Sequence, residues 1–101
     1  MLRCSDSYHL YYWGTGSDGY HRICLAYAPL DAPHEWRFVD SVLERQAGTT
    51  YNEMGPSFPY VVPQEDGPWL MYFGAWGVPR ADGRLANSTG LALSDDQGRT
   101  W

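Results

Sequence analysis

An internal repeat restricts the fold of this 101-residue chain more than any other feature of its sequence. Three pairs of similar segments occur in the same order, at offsets of 61, 66 and 65 residues. The pairs are LYY at 10–12 with MYF at 71–73, LAYA at 25–28 with LALS at 91–94, and Trp36 with Trp101. Matches of this kind indicate a repeated unit of about 60 to 65 residues.

Short apolar and aromatic runs, separated by clusters of Gly, Pro, Asp and Asn, predict an all-β chain. The predicted strands are Tyr8–Trp13, His21–Ala28, Glu35–Val39, Phe58–Val62, Trp69–Trp76 and Ser88–Ser94. Helical periodicity is nearly absent. The best helical candidate, Ser41–Ala47, is short, and we interpret it as a strand end followed by a loop.

A repeated unit of about four strands predicts antiparallel sheets arranged as β-propeller blades, because each blade is a four-stranded sheet. A β-sandwich in which the similarity is accidental is the alternative. On the propeller interpretation, residues 1–101 form a single partial domain. An incomplete blade covers about 1–47, and a second blade covers about 56–101.

Both units are incomplete. The first begins at its second strand and lacks an inner strand, and the second lacks the counterpart of Glu35–Val39. Unpaired edges and uncovered blade faces are unfavourable for a monomer in water. We therefore predict a homo-oligomer in which copies complete one another's blades, for example by exchanging strands.

The last eight residues, SDDQGRTW at 94–101, resemble the Asp-box, the S-x-D-x-G-x-T-W hairpin of sialidases and other propeller glycosidases. Every fixed position matches. We expect Asp96 to accept hydrogen bonds from turn amides, Gly98 to adopt a positive φ, and Trp101 to pack under the hairpin. In those families the motif is structural and lies away from the active site, so the resemblance implies a structural role for Asp96.

The wider pattern is similar to the five-bladed propellers of glycoside hydrolase families 43 and 32 and their relatives. The segments that carry this resemblance cover most of the chain, and they are HLYYWGTG, RICLAYAPLDAPHEW, GPSFPYVVPQEDGPWLMYF and TGLALSDDQGRTW. Such proteins hydrolyse or transfer glycosyl units, and they bind sugar at the axial end of the propeller. The resemblance therefore implies carbohydrate as a partner.

The catalytic acids of these families do not carry over. The resemblance places Ser57 and Phe58 where the families have an acid before the inner-strand proline, and glycoside hydrolysis normally requires two carboxylates about 5 to 10 Å apart. Glu53 is the nearest acid and our catalytic candidate, with a solvated loop glutamate as the alternative. We expect a glycoside hydrolase-like fragment whose catalysis is doubtful. The alternative is a non-catalytic carbohydrate-binding or oligomerising module.

Three further residues are candidates for substrate binding. Trp13 and Trp76 follow the second strand of each unit, where either ring can stack on a sugar face, and packing between blades is the alternative role. Asn52 can hydrogen-bond a sugar hydroxyl, or it caps a turn.

Charge and composition exclude several partners. The net charge is −5, all seven positive residues are Arg, and they are scattered, so we predict no nucleic-acid partner. No window approaches the roughly 18 apolar residues of a membrane span, so we predict no membrane partner. The N-terminus has no signal peptide, which predicts a cytoplasmic chain, or a secreted one if it belongs to a longer protein.

The spacing of the cysteine and histidine residues does not indicate a metal-binding site. Cys4 and Cys24 lack C-x-x-C spacing, and we favour two free thiols over a disulfide. His9, His21 and His34 are spread along the chain without ligand spacing and are assigned to the surface or to sheet faces. We therefore predict no metal site and no cofactor.

Overall fold

The computed structural model describes all residues from Met1 to Trp101. The chain is all-β, with 55% of its residues in strands and no helix, which confirms the predicted fold class at the level of antiparallel sheets. The strands are β1 Leu2–Arg3, β2 Ser7–Thr15, β3 His21–Pro29, β4 Arg37–Leu43, β5 Gly55–Val62, β6 Trp69–Pro79 and β7 Leu85–Ser94.

The strands form two antiparallel sheets in which each strand pairs with the next along the chain. Sheet 1 has the order β1-β2-β3-β4, and sheet 2 has the order β5-β6-β7. The central ladder of sheet 1 pairs Tyr11 with Leu25, and the ladder between β6 and β7 pairs Tyr72 with Leu91. Short polar turns close each hairpin, as the Gly- and Asp-rich segments predict.

Several strand boundaries differ from the prediction. The sequence predicts the fourth strand at Glu35–Val39, but β4 spans Arg37–Leu43. The strand extends further because it pairs with β3 as far as Ile23↔Leu43, across two bulges. The strand end expected in Ser41–Ala47 is therefore the end of β4. Sheet 2 also extends further, since β5 already begins at Gly55, whose Cα partner is Trp76.

The first unit was expected to have no strand before β2. The structure shows a two-residue strand there. Leu2 and Arg3 form β1 and pair with His9 and Tyr8 on the free side of β2. A strand of this length has no readable periodicity, so the sequence does not reveal it.

The two sheets pack face to face around a small apolar core. Ile23 of sheet 1 meets Met71, Phe73 and Ala75 of sheet 2, and all four are at most 6% exposed. Half-buried aromatic and aliphatic side chains surround this core, and they include Tyr11, Trp13, Val42, Leu43, Val61, Ala92 and Trp101. Burying one such side chain contributes about 1.5–3 kcal/mol, so this contact is the main stabilising interaction between the sheets.

Phe73 fills the space above Gly90 on the neighbouring strand. A Cβ atom added at Gly90 would lie 2.3 Å from Cζ of the Phe73 ring. The absence of a side chain at Gly90 therefore allows the ring to lie flat over β7 and to reach the core.

A hydrogen-bonded turn follows β7, and we call residues 94–101 the Ser94–Trp101 turn. Oδ1 of Asp96 accepts hydrogen bonds from the backbone N–H groups of Arg99 at 3.1 Å and Thr100 at 2.9 Å. The Thr100 hydroxyl donates to Oδ2, and this bond is the largest contribution that lowers the pKa of Asp96 to about 2. Gly98 has φ 84°, so the expected Asp96 bonds and the positive φ are confirmed.

Tyr11 attaches this turn to sheet 1. Its hydroxyl donates to the carbonyl oxygen of Gly98 at 2.8 Å, and Trp101 Nε1 donates to the same oxygen at 3.1 Å. The Trp101 ring packs edge-on against Tyr11, with 5.9 Å between centroids. Gly98 also lies against Trp69, so the turn holds residues 97–99 beside the first residue of β6.

Replacing Gly90 by Ala is expected to lower the free energy of unfolding by about 1–3 kcal/mol, because the new methyl group overlaps the Phe73 ring. Denaturant unfolding followed by tryptophan fluorescence measures this change. Gly14→Ala is the matched control, since a Cβ atom there has no neighbour within 4 Å and stability should stay within about 0.5 kcal/mol. Equal effects of the two substitutions would contradict the packing described.

The Asp96 carboxylate makes stability depend on pH in a defined window. Its pKa is about 2 in the folded chain against 3.8 for the free side chain, so its contribution is complete above about pH 4. The contribution is lost as the pH falls towards 2. Thermal melts between pH 2 and pH 5 should therefore show a shallower acid loss in Asp96→Asn than in the wild type, with the exposed neighbour Asp95→Asn as the control. Identical slopes in all three proteins would refute this role.

Candidate functional site

The loops lie at two opposite ends of the sheet pair, because the strands run back and forth between them. The Trp69 end contains residues 4–6, 30–36, 63–68 and the Ser94–Trp101 turn. The Glu53 end contains residues 16–20, 44–54 and 80–84. All the residues chosen from the sequence as site candidates lie at or near the Glu53 end.

A cavity of about 240 Å³ opens at the Trp69 end, where sheet 1, sheet 2 and the Ser94–Trp101 turn meet. Charged and polar side chains outnumber apolar ones in its wall. The lining residues are Arg3, Cys4, Ser5, Asp6, His9, Pro63, Trp69, Gln97 and Arg99. Its size suits one small molecule rather than a chain.

His9 is the buried polar group of this cavity. The side chain is 2% exposed, and its Nε2 has no hydrogen-bond partner. Nδ1 lies 3.5 Å from the hydroxyl of Tyr11, which already donates its proton to Gly98 and so can only accept from His9. The ring therefore carries its proton on Nδ1, and Nε2 is a free acceptor.

The surroundings of His9 favour the neutral ring. Burial, reinforced by the positive charge of Arg99, lowers the pKa of His9 below its ordinary value. The ring lies against Tyr27 with 4.5 Å between centroids, and Trp69 is 6.5 Å away. At neutral pH the cavity thus offers an uncharged acceptor set among aromatic rings.

Arg99 and Asp6 bring one positive and one negative charge to the cavity beside His9. The Arg99 guanidinium also lies over the Tyr27 ring at 5.9 Å from its centroid. Cys4 is a free thiol, and burial raises its pKa, so it is protonated at neutral pH. The cavity wall therefore combines donor groups with the buried, unpartnered imidazole of His9.

Both carboxylate oxygens of Glu53 accept hydrogen bonds from neighbouring residues. Oε1 accepts from the Arg45 guanidinium at 2.9 Å, and Oε2 accepts from the backbone N–H of Gly48. These bonds fix the 44–54 loop, and Arg45 also packs over the Tyr20 ring at 3.9 Å. The contacts of Glu53 are those of a residue that shapes a loop.

Asn52 lies inside the same loop. The residue is 1% exposed, its Nδ2 donates to Gln46 Oε1 at 3.3 Å, and its Oδ1 is buried without a partner. The side chain therefore faces the interior of the 44–54 loop and not the open surface.

Trp13 and Trp76 lie within β2 and β6, and not after these strands as expected. Trp13 packs edge-on against His21 at 5.2 Å between centroids and lies 5.1 Å from the Phe58 ring. Trp76 Nε1 donates to the Ser57 hydroxyl, and its ring centroid is 6.4 Å from that of His21. The structure thus brings these two candidates together in one aromatic cluster where the sheets meet.

Ser57 and Phe58, which stand in place of the expected acids, have contrasting environments. Ser57 is fully buried beneath Trp76, whereas Phe58 is 62% exposed and has φ 47°. A positive φ is unfavourable for a bulky side chain, and it occurs here at a bulge where β5 shifts register between Ser57 and Tyr60. The bulge turns the Phe58 ring outwards beside Trp13.

No group of three or more His, Cys, Asp or Glu side chains is arranged to hold a metal ion. The structure contains no helix with the length and apolar character required to span a membrane.

The sequence reasoning missed the cavity at the Trp69 end. The sequence predicts His9 at the surface or on a sheet face, and the structure places it, buried, on the inner face of β2. A usable signal was the alternation in β2, because His9 has the same parity as Tyr11 and Trp13, which face sheet 2. Arg99 was not selected because its position beside His9 arises only when the Ser94–Trp101 turn docks.

The chain was compared with known protein families, curated proteins and solved structures. No protein-family model, no curated protein and no solved structure matches the chain.

Proposed function

We propose that this chain is a non-catalytic carbohydrate-binding module, and that the cavity at the Trp69 end binds one sugar residue. The observation that carries the proposal is the unpartnered Nε2 of His9, a buried ring nitrogen of a residue that lines a small polar cavity. A buried acceptor without a partner costs about 1–3 kcal/mol, and a ligand hydroxyl group would supply the missing donor.

The rest of the wall suits a sugar. Trp69 provides an aromatic surface for the C–H face of a pyranose ring, and Gln97 provides amide donor and acceptor groups. The guanidinium group of Arg99 donates several hydrogen bonds in a plane, which matches a carboxylate best. We therefore expect an acidic sugar, such as a uronate, to bind more tightly than its neutral counterpart.

Binding is proposed without catalysis for a structural reason. Asp6 is the one carboxylate that lines the cavity, whereas glycoside hydrolysis normally uses a pair of carboxylates that flank the bond. Glu53, at the opposite end, is already engaged through both oxygens. Ser57 and Phe58 occupy the places where the resemblance to glycoside hydrolases leads one to expect acids.

The ancestry of the module is also a proposal. The internal repeat and the Ser94–Trp101 turn support descent from a propeller glycoside hydrolase. In support, the turn has the hydrogen bonds expected of an Asp-box, with Asp96 accepting from two backbone amides. On this view the fold and its turn were retained while the acids of the inner strand were not.

Titration of the ¹⁵N-labelled chain with D-glucuronate should shift backbone NMR signals of residues 4–9 and 97–99, and D-glucose should bind more weakly. His9→Phe keeps an aromatic ring but removes the acceptor, so affinity should fall roughly tenfold, the effect of one lost hydrogen bond to ligand. Arg99→Gln should weaken glucuronate more than glucose. Arg84→Gln, an exposed arginine at the other end, is the matched control.

Absence of any shift at residues 4–9 with both sugars would reject the proposed site. Shifts confined to the aromatic cluster around Trp13 and Trp76 would move the binding site to the Glu53 end. The His9→Phe chain must keep the wild-type pattern of strand signals for its affinity to be interpreted.

Glu53→Gln tests the enzymatic alternative. We expect no turnover of a panel of aryl glycosides by the wild type, and a loss of about 1 kcal/mol of stability in the variant, because the Arg45 bond loses its charge. Chromophore release and thermal unfolding measure the two quantities, with the exposed Glu65→Gln as the control. Turnover that is present in the wild type and abolished by Glu53→Gln would overturn the non-catalytic proposal.

A further inference from the structure

Each sheet has one face in the core and one face open to solvent. The open face of sheet 2, which we call the Leu91 face, consists of Tyr60, Val62, Leu70, Tyr72, Leu91 and Leu93. Four of these are large apolar side chains between 43% and 69% exposed. The paired strand positions of this face carry no charged side chain. A continuous apolar surface of this kind marks an interaction site.

The open face of sheet 1, which we call the Tyr12 face, consists of Tyr8, Leu10, Tyr12, Cys24, Ala26 and Phe38. Tyr12 is 38% exposed and Phe38 is 64% exposed. The centre of this face is aromatic and aliphatic, and Arg3 and Arg22, at the positions paired with Tyr8 and Gly14, flank it. The two open faces lie on opposite sides of the sheet pair, because the sheets contact each other through their other faces.

In the internal repeat, residues on the open face of one sheet correspond to residues on the packed face of the other sheet. Tyr12 of the open Tyr12 face corresponds to Phe73, which is 6% exposed in the core. In the opposite direction, Leu25 is fully buried on the face of β3 that carries Ile23, and its counterpart Leu91 is 54% exposed on the Leu91 face. At these two repeated positions, the side chain is covered in one sheet and uncovered in the other, whereas Ala28 and its counterpart Ser94 are both buried.

The repeat indicates which residues could cover the exposed Leu91 face. Sheet 2 covers the inner face of sheet 1 with Met71, Phe73 and Ala92, whose counterparts in sheet 1 are Leu10, Tyr12 and Ala26 of the Tyr12 face. The covered face of sheet 1 includes Tyr11 and Leu25, whose counterparts in sheet 2 are Tyr72 and Leu91. The Tyr12 face therefore has the chemistry required to cover a Leu91 face.

We infer that copies of this chain associate head to tail, with the Tyr12 face of one copy packed on the Leu91 face of the next. The contact continues the packing of sheet on sheet that already exists within the chain. It is heterologous, since two different faces meet, so it forms a ring where the rotation closes and a chain of copies where it does not. The inference does not depend on the ligand of the Trp69 end.

Two substitutions that introduce a charge test the head-to-tail association. Leu91→Arg and Tyr12→Arg each place a charge in one face, and each variant alone should be monomeric by light scattering under conditions in which the wild type associates. Tyr51→Arg, at an exposed aromatic residue in the 44–54 loop, should leave the wild-type mass unchanged. Circular dichroism and thermal melting verify that each variant is folded, and Leu93→Arg substitutes for Leu91→Arg if that chain does not fold.

Mixing the two variants distinguishes head-to-tail packing from a symmetric contact. Leu91→Arg keeps an intact Tyr12 face, and Tyr12→Arg keeps an intact Leu91 face, so an equimolar mixture should form a dimer that contains one of each. A wild type that stays monomeric up to millimolar concentration would overturn the inference. Association of either variant with itself to the same extent as the wild type would do so as well.

Discussion

The contact of Ile23 with Met71, Phe73 and Ala75 is the interaction on which the rest of the structure depends. A sheet of three or four short strands needs a covered apolar face to be stable in water, and each sheet obtains one from the other. The cavity at the Trp69 end depends on the same contact. His9 belongs to sheet 1 and Trp69 to sheet 2, so the cavity exists only while the two sheets are packed.

Much of the fold could be predicted because aromatic and aliphatic residues alternate with turn-forming clusters. The centres of β2, β3 and β6 follow directly from this pattern. The boundaries of β4 could not be predicted, because two bulges in its ladder with β3 displace its pairing beyond Val39. The start of β5 was missed for a different reason, since Gly55 and Pro56 favour turns by propensity, and only pairing with β6 makes them part of a strand.

The candidate site was less predictable than the fold. Resemblance to glycoside hydrolases directed attention to the loop before β5, where Glu53 and Asn52 prove to be engaged within the loop itself. Trp13 and Trp76 were expected after the second strand of each unit, but they lie inside β2 and β6 and pack near His21. The cavity around His9 combines parts of both sheets with the final turn. Because those parts are distant in sequence, no local motif could indicate that they meet.

The hydrogen bond from Tyr11 to Gly98 has a consequence for how the chain folds. It joins residues 87 positions apart, whereas every strand pair is formed between neighbours along the chain. Hairpins between adjacent strands close within microseconds, and closing a long loop carries a larger entropic cost. The four long hairpins, β2–β3, β3–β4, β5–β6 and β6–β7, therefore assemble early, and the docking of the final turn on Tyr11 waits for the sheets to come together. The wall that Gln97 and Arg99 contribute to the cavity is thus completed last.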